Sequence, residues 1–293
     1  MEFNFGEKFE EQPKATDLPF YKRAGQTFLG NGEFASPNFK KGETGWAIDA
    51  LGNAEFNNGR FRIGGLVVNV QTTENIQDVI NELNILGGGT VILENGTHFR
   101  NADIILYSDI DLVGQNADAA IIDFGSQAYS IKAIGTNPYT TGTISITTGT
   151  TTVTGVGTTF TSAMVGRSIF LSGIWYTISG FTSTTVISIS LPFADITLAA
   201  STYTIASILS DINIRNLTIQ NSTSSGINFQ YTKTFHTDGV RLINCTTGVT
   251  GQTSMNFLWS NNDIVYCGTG MALTACSFSE MDKSGAVDST TLG

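Results

Sequence analysis

Residues 76–99 read IQDVINELNILGGGTVILENGTHF, and they predict a helix, a glycine turn and a strand in that order. The apolar residues of the first half recur at i, i+3, i+4, i+7 and i+10, so they share one face of a helix. They are Ile76, Val79, Ile80, Leu83 and Leu86. Thr72 or Thr73 can cap the start of this helix, and Gly87 can end it.

Further apolar strands follow this stretch and are separated by polar corners, as in DIDLVGQN at residues 109–116 and IIDFG at residues 121–125. A solenoid requires this order, because its first coil exposes an apolar end that an amphipathic element must cover. The segment over residues 68–125 resembles the start of pectate-lyase-like β-helices, in which a helix covers the first coil. The resemblance implies a right-handed parallel β-helix from residue 66 to about residue 288.

A repeat of 22 to 24 residues returns in the last third of the chain. The aligned sets are Leu217, Val240 and Ile264, at steps of 23 and 24, and Ile227, Val249 and Met271, at steps of 22. Such steps fit stacked coils, in which each inward side chain packs on its equivalent in the next coil. Cys245 and Cys267 are also 22 residues apart, so we expect them to stack as small buried side chains.

Residues 140–207 interrupt this repeat. They predict four or five strands of period two with close Gly and Ser/Thr turns, which indicates an inserted small antiparallel β sandwich or barrel. Residues 150–179 resemble a small β module of phage tail and spike proteins. Trp175 and Tyr176 are candidate carbohydrate-binding residues, because aromatic rings stack on the apolar faces of sugars. Alternation places the two side chains on opposite faces, so we expect one of them in the core.

Residues 45–58, GWAIDALGNAEFNN, alternate apolar and polar residues around a Gly-Asn turn and predict a β-hairpin. This stretch resembles a segment of phage tail fibre and tail proteins that joins a virion-attachment region to a distal part. The preceding residues are rich in turns and carry scattered aromatics, which predicts an extended arm that docks on another protein. The predicted parts are 1–65 (arm and hairpin), 66–139 (capping helix and first coils), 140–207 (insert) and 208–293 (remaining coils).

The composition argues against several classes of function. Lys and Arg number 15 against 25 Asp and Glu, a net charge of −10, and no cationic cluster is present to bind the phosphates of nucleic acid. Three cysteines and two histidines show no metal-ligand spacing, and no motif indicates a cofactor. The N-terminus lacks a signal peptide and no long apolar run occurs, so we expect synthesis in the host cytoplasm without membrane insertion.

Carboxylates in a groove along the coils would be needed if this β-helix cleaved polysaccharides. The acidic candidates are Asp211, Asp238, Asp263, Glu280, Asp282 and Asp288. His236-Thr-Asp238-Gly239 resembles the NTDG segment of polygalacturonase-like hydrolases, which implies a catalytic Asp238, although the Gly-His-Gly and Arg-Ile-Lys segments of that family are absent here. An Asp before Gly is equally a hydrogen-bonded corner. We expect Asp263 about one coil rise from Asp238, roughly 4.8 Å, where the two form a carboxylate pair or solvated corners.

Together these patterns predict an all-β protein, and the resemblances imply a phage virion protein, a tail fibre or tailspike that acts in adsorption or tail architecture. The resemblance implies a homotrimer, contacts of residues 1–65 with tail or baseplate proteins, and host surface polysaccharide as a ligand. The alternative is a polysaccharide depolymerase, either a lyase or a glycoside hydrolase. We favour binding over catalysis, because only about six or seven coils fit the chain at this repeat length.

Overall fold

A computed structural model describes residues 27–29, 33–35, 45–48, 54–57, 66–281 and 286–287, with side chains from residue 66 to residue 277. The chain divides into two compact units between Ile63 and Gly64. The described part of the first unit is an antiparallel sheet, and that of the second unit is a parallel β-helix with an antiparallel insert.

The sheet of the first unit has four strands in the order β1-β2-β3-β4. They are β1 (Thr27–Leu29), β2 (Glu33–Ala35), β3 (Gly45–Ile48) and β4 (Ala54–Asn57). Gly45 lies opposite Asn57, which confirms the hairpin predicted around the Gly-Asn turn. The prediction of an extended arm did not include β1 and β2, which pair with each other. The rest of the predicted arm lies outside the described residues.

The predicted helix, α1, spans Ile76–Leu86 in the second unit. Its N-terminal cap is Asn75, whose side-chain oxygen accepts a hydrogen bond from the backbone N–H of Gln77 at 3.1 Å. The prediction of Thr72 or Thr73 as the cap was therefore wrong. Asn is at least as good a cap as Thr, because its oxygen reaches the free N–H groups of the first turn.

One face of α1 packs on the core of the β-helix. Ile76, Ile80 and Leu83 are buried in that core, whereas Leu86, which was predicted on the same face, is 61% exposed. Leu86 occupies the last helical position. Gly87 follows it in the left-handed conformation at φ 93° and ends the helix as predicted.

Seven parallel strands precede the insert. They are β5 (Leu66–Val70), β6 (Gly89–Leu93), β7 (Gly96–Phe99), β8 (Ile104–Ile105), β9 (Ile110–Gly114), β10 (Ala120–Gln127) and β11 (Ile131–Ile134). Strands β6 and β9 alternate buried and half-buried residues, because one face of each fills the core while the other faces outward.

The insert contains eight short antiparallel strands, more than the four or five predicted. They are β12 (Thr136–Tyr139), β13 (Thr143–Ile146), β14 (Thr152–Val156), β15 (Ser168–Leu171), β16 (Ile174–Ser183), β17 (Val186–Ile189), β18 (Leu198–Ser201) and β19 (Thr204–Ser207). Their order in the sheet is β12-β19-β15-β16-β17-β14-β13-β18. The long strand β16 pairs with β15 at its start and with β17 at its end, and a separate apolar core lies within this sheet.

The coils resume after the insert. Their strands are β20 (Leu209–Arg215), β21 (Thr218–Ser222), β22 (Ser225–Gln230), β23 (Thr232–Asp238), β24 (Arg241–Ile243), β25 (Thr247–Ser260), β26 (Asp263–Val265), β27 (Thr269–Met281) and β28 (Ala286–Val287). One sheet has the order β7-β10-β21-β24-β26-β28 and the larger has the order β5-β6-β9-β20-β23-β25-β22-β11-β8, with β27 beside β25. All of these pairs are parallel, which confirms the predicted β-helix.

The predicted columns of stacked side chains hold in most positions. Ile227 lies opposite Val249, and Val249 lies opposite Met271, at the predicted step of 22 residues. Cys245 and Cys267 also stack, since the backbone N–H of Cys245 donates to the Cys267 Sγ at 3.4 Å. These contacts confirm that each coil repeats its inward positions on the next.

One predicted column was wrong in its last member only. Leu217 and Val240 keep the predicted step of 23 residues, since the next residues, Thr218 and Arg241, lie opposite each other. Ile264 lies opposite Leu242 instead of below Val240, whose backbone N–H donates to the Oδ1 of Asn262. The step between these coils is therefore 22 residues, and the proposed alignment at 24 was two residues too long. A shift of two residues keeps every inward side chain inward, so the apolar pattern alone does not detect it.

The corners of successive coils repeat a left-handed backbone conformation. One corner has positive φ at Asn216, Gly239 and Asn261, and the next has it at Asn221, Asn244 and Tyr266. Asn and Gly adopt this conformation at the lowest cost, which explains their frequency at these positions.

Candidate functional site

Outward-facing polar side chains gather on the larger sheet, where β9, β20, β23 and the second half of β25 lie side by side. We call this group the outer cluster. It consists of Asp111, Asn213, Arg215, His236, Asp238 and Ser260. All six residues are half-buried, because the sheet covers one side of each and the other side faces outward.

The cluster forms two rows across the strands. In the first row Asn213 lies opposite both Asp111 and His236. In the second row, two residues further along each strand, Asp238 lies opposite both Arg215 and Ser260. Strand alternation produces this arrangement, because residues i and i+2 share a face while the residue between them points into the core.

Asp111 is bound from the neighbouring strand. Its Oδ1 accepts a hydrogen bond from the Nδ2 of Asn213, and its Oδ2 forms an ion pair with the Nη2 of Arg215 at 3.1 Å. The carboxylate, the amide and the guanidinium therefore form one connected group. Such a group presents both hydrogen-bond donors and acceptors toward solvent.

His236 and Asp238 are joined through Ser260. The Nε2 of His236 lies 3.2 Å from the Ser260 Oγ, and that hydroxyl lies 3.2 Å from the Asp238 Oδ1. Asn261 also donates to the same carboxylate oxygen at 2.9 Å. Asp238 thus serves as a hydrogen-bonded corner before Gly239, as one of the two sequence interpretations expected, while its side chain also belongs to the cluster.

The electrostatic environment keeps His236 neutral at pH 7. Burial of the ring lowers its pKa, and the positive charge of Arg215 lowers it further. The carboxylates of Asp238 and Asp111 raise it, but the net shift is downward. A neutral imidazole has one free nitrogen, so His236 can accept a proton or a hydrogen bond from a bound molecule.

The two carboxylates of the cluster lie on strands separated by β20. Two strand spacings place the backbones of β9 and β23 about 10 Å apart. The side chains of Asn213 and Arg215, on β20, lie between the two acids.

Asp263 does not join this cluster. It lies opposite Arg241 in the smaller sheet, whereas the residue stacked on Asp238 in the next coil is Ser260. The expectation of a carboxylate pair between Asp238 and Asp263 was wrong, because the chain turns the corner at Gly239 and enters another sheet. Of the predicted catalytic candidates, the structure brings together His236 and Asp238.

Trp175 and Tyr176 are both only 6% exposed, which corrects their interpretation as a sugar platform. The Nε1 of Trp175 donates to the backbone carbonyl of Thr232 in the β-helix at 3.1 Å. Tyr176 lies in the core of the insert, where its ring is 5.9 Å from that of Phe193. The two do point to opposite faces, as alternation predicted, but the β-helix covers one face and the insert core the other.

Among the other acidic candidates, Asp211 does not belong to the cluster. Asp211 is exposed at a left-handed position of β20, φ 56°. The side chains of Glu280, Asp282 and Asp288 lie outside the described residues.

Sequence reasoning missed Asp111, Asn213, Arg215 and Ser260. Asp111 and Asn213 are direct neighbours across two strands, yet the insert separates them by 102 positions in the chain. The repeat could not be followed through the insert, so nothing in the sequence aligned the coil before it with the coil after it. The 22-residue step did contain the signal for Ser260, which follows Asp238 by one coil.

Among the side chains that the structure describes, residues 66–277, no group of three or more His, Cys, Asp or Glu is arranged to hold a metal ion. Among the same residues no helix is long and apolar enough to cross a membrane.

Comparisons with solved structures return phage tailspikes and a glucanase at low identity. Tailspike gp61 of Pseudomonas phage phi297 is 13% identical, with a TM-score of 0.37, over 68% of this chain and 40% of that protein. The Gp54 tailspike of Acinetobacter baumannii bacteriophage AP22, solved with a capsular saccharide, is 10% identical, with a TM-score of 0.33, over 68% and 44%. The chain thus spans about two fifths of the length of these tailspikes. A catalytic domain of GH87 α-1,3-glucanase with nigerose is 12% identical, with a TM-score of 0.36, over 75% and 34%.

A search of curated proteins finds no match. A protein family does match, and it is described as Rhamnogalacturonase A/epimerase, pectate lyase-like. The match extends over residues 69–272, well over half of the chain, and includes the helix α1, the insert and every residue of the outer cluster. Because sequence and coil architecture agree over this range, the chain belongs to the pectate lyase-like family of rhamnogalacturonase A and epimerase.

Proposed function

We propose that this chain is part of a phage tailspike or tail fibre and that the outer cluster binds host surface polysaccharide. The observation that carries the proposal is a pair of adjacent hydrogen-bonded groups on the outer face of a pectate lyase-like β-helix. Asp111, Asn213 and Arg215 form one group, and His236, Ser260 and Asp238 form the other. The resemblance of residues 45–58 to phage tail proteins supports the phage setting.

The chemistry of the cluster suits a sugar chain. Sugars carry hydroxyl groups that donate and accept, and the cluster offers amide, guanidinium, carboxylate, imidazole and hydroxyl partners within two rows. Half-buried apolar side chains flank it, with Ile92 and Val113 beside one row and Leu258 beside His236. These can contact the apolar faces of a bound ring.

Binding of purified host polysaccharide tests the proposal. Capsular polysaccharide and lipopolysaccharide from candidate hosts would be immobilised and titrated with the full chain. Arg215→Ala removes a charged donor from the cluster, so we expect it to weaken binding about tenfold or more.

Lys132→Ala is the matched control. Lys132 forms an ion pair with Asp103 at 2.6 Å and lies on β11, in another part of the same sheet. The substitution therefore removes an ion-paired cation that is partly exposed, as Arg215 is, and leaves the outer cluster unchanged. Equal losses in the two variants, or no glycan bound by the unmodified chain, would contradict the assignment.

The second candidate function is depolymerisation of the same polysaccharide. It is favoured by one observation, the presence of two carboxylates in the cluster with His236, whose pKa is lowered: Asp238 lies on the same strand as His236, and Asp111 lies two strands away. Incubation with the polysaccharide would release new reducing ends from a hydrolase or unsaturated sugars from a lyase. Asp238→Asn keeps the hydrogen-bonding oxygen and removes the acid, so an enzyme would lose about 100-fold or more in rate while binding persists.

Two further parts of the proposal concern assembly. Residues 1–65 attach the protein to the virion, and the chain forms a homotrimer. Light scattering of the full chain measures the second part directly, with three times the chain mass of 31.3 kDa expected. A monomeric mass at micromolar concentration would contradict the trimer.

A further inference from the structure

A cavity lies on the smaller sheet, away from the outer cluster. Strand β10 changes register against β21 between Asp123 and Gln127, and Gly125 and Ser126 in this bulge both have positive φ, at 59° and 60°. The neighbouring strand β7 ends at Phe99, opposite Asp123. The bulge bends β10 away from the end of β7 and opens a cavity of about 380 Å³.

Side chains of mixed chemistry line this cavity. They are Phe99, Arg100, Asn101, Asp123 and Gln127, with the backbone of Gly125. The volume falls within the range of about 300–1,000 Å³ that is typical of small-molecule sites. A side chain at Gly125 would meet no atom within 4 Å, so the cavity is open at the bulge.

Phe99 is the apolar wall of the cavity, and it is 75% exposed. Its register partner Asp123 is only 8% exposed, so the ring is far more open to solvent than the carboxylate beside it. An exposed ring beside a polar cavity offers a flat apolar surface to a ligand that has one apolar face.

Arg100 is the cation of the cavity. Its Nη1 donates to the Oδ1 of Asn75 at 2.8 Å, which anchors the guanidinium on the cap of α1. The Nε is buried without a hydrogen-bond partner, and no described carboxylate lies within ion-pairing distance of this side chain. Burial lowers its pKa, but a guanidinium remains charged at neutral pH. Arg100 therefore retains unused donor capacity.

Asp123 is the anion. Burial alone would raise its pKa, but hydrogen bonds from the Gly125 N–H and from the side chains of Gln220 and Asn221 hold the pKa below its ordinary value. The carboxylate is thus ionised at neutral pH. With one cation and one anion the cavity has no net charge, which favours a neutral ligand over an acidic or basic one.

We propose that this cavity binds one neutral sugar residue, with a ring face on Phe99 and hydroxyl groups on Arg100, Asp123 and Gln127. A neutral sugar has an apolar ring face, which can stack on Phe99, and hydroxyl groups, which can both donate and accept hydrogen bonds at the polar side chains. The inference rests on the proposed function only in that the sugar belongs to the same surface polysaccharide. It gives the protein a second contact on another face of the β-helix.

Saturation-transfer NMR with single monosaccharides tests this site in the full chain. The probes are D-glucose, D-galactose, D-mannose and L-rhamnose, with D-glucuronate as the acidic comparison. We expect transfer to at least one neutral sugar and less to glucuronate. Phe99→Ala should weaken binding about fivefold to tenfold, because it removes the stacking surface without disturbing a buried residue.

Tyr266→Ala is the matched control, since Tyr266 is another exposed ring, 65% exposed, at a corner beside the same sheet. Gln127→Ala is a second cavity variant, with an exposed side chain whose removal leaves the core intact. Preferential binding of glucuronate, an equal loss in Tyr266→Ala, or no transfer to any neutral sugar would overturn the proposal. So would a changed oligomeric mass in Phe99→Ala, which would assign the ring to an interface between chains. The Arg215→Ala titration is independent, so the two proposals can fail separately.

Discussion

Leu242 and Ile264 lie opposite each other on adjacent coils, and both belong to one buried column that continues through Ile219 and Ile122. Each side chain in such a column covers its equivalent in the next coil, so the column acts as the continuous core of the β-helix. If a side chain of this column is shortened, side chains of the neighbouring columns cannot move into the space, because they are themselves closely packed.

Leu242→Ala should therefore destabilise the protein strongly. Leu242 is fully buried, and we expect a loss of about 2–5 kcal/mol in the free energy of unfolding from the lost burial and the remaining cavity. Urea unfolding followed by circular dichroism measures it. Ile243→Ala, one position later on the outward face, is the control and should cost clearly less. Similar costs for the two would contradict the assigned register.

A substitution at Gly239 tests whether the corner of this coil requires the left-handed backbone conformation. Gly239 has φ 64°, and an added Cβ would lie 3.3 Å from the Oδ1 of Asn216 in the preceding coil. Gly239→Ala should cost about 1–2 kcal/mol from backbone strain. Gly180→Ala is the matched control, since Gly180 has no positive φ and its added Cβ meets only ordinary contacts at 3.7 Å. A harmless Gly239→Ala would show that this corner relaxes freely.

The repeat made the fold predictable from the sequence, whereas the site was only partly predictable. Apolar periodicity located α1, the coils and the insert, because burial of apolar side chains fixes each of them. The outer cluster depends on the order in which the coils stack. Asp111 and Asn213 lie on adjacent strands, but the insert separates them in the sequence, so the repeat does not align them. Likewise, the burial of Trp175 against Thr232 depends on how the insert packs, which local alternation does not specify.

The lowered pKa of His236 predicts a pH dependence of stability. In the unfolded chain the imidazole gains a proton below about pH 6.5, whereas in the folded protein it resists protonation to a lower pH. The unfolded state then binds more protons, so stability is lost as the pH falls from 6.5 through the folded pKa. Urea midpoints of the unmodified chain should fall more between pH 7 and about pH 5 than those of His236→Gln. Parallel curves for the two proteins would exclude this role of His236.

In the stacked cysteines, a lowered thiol pKa favours reaction with a labelling reagent, whereas burial hinders it. The hydrogen bond between the two side chains lowers the pKa of Cys267 to about 7 and raises that of Cys245. A thiolate is the reactive form, but Cys267 is only 2% exposed and Cys245 only 3%. We expect access to decide, so a short iodoacetamide treatment of the native protein labels the half-buried Cys276 first. Mass spectrometry identifies the labelled residue, and denatured protein, in which all three thiols are accessible, is the control. Labelling of Cys267 as fast as that of Cys276 would contradict the prediction and show that the coil opens.

Trp175 joins the insert to the β-helix, and its loss should affect both. The indole is 6% exposed, donates to the Thr232 carbonyl at 3.1 Å and packs on Phe170 with ring centroids 4.9 Å apart. Trp175→Ala removes a large buried side chain and leaves that carbonyl with one partner fewer, so we expect a cost of about 3–5 kcal/mol and faster proteolysis within the insert. Ile174→Ala, at the neighbouring position that is 39% exposed, should have little effect on either measurement. If Trp175→Ala left both the urea midpoint and the cleavage pattern unchanged, the insert would not depend on this contact for its position.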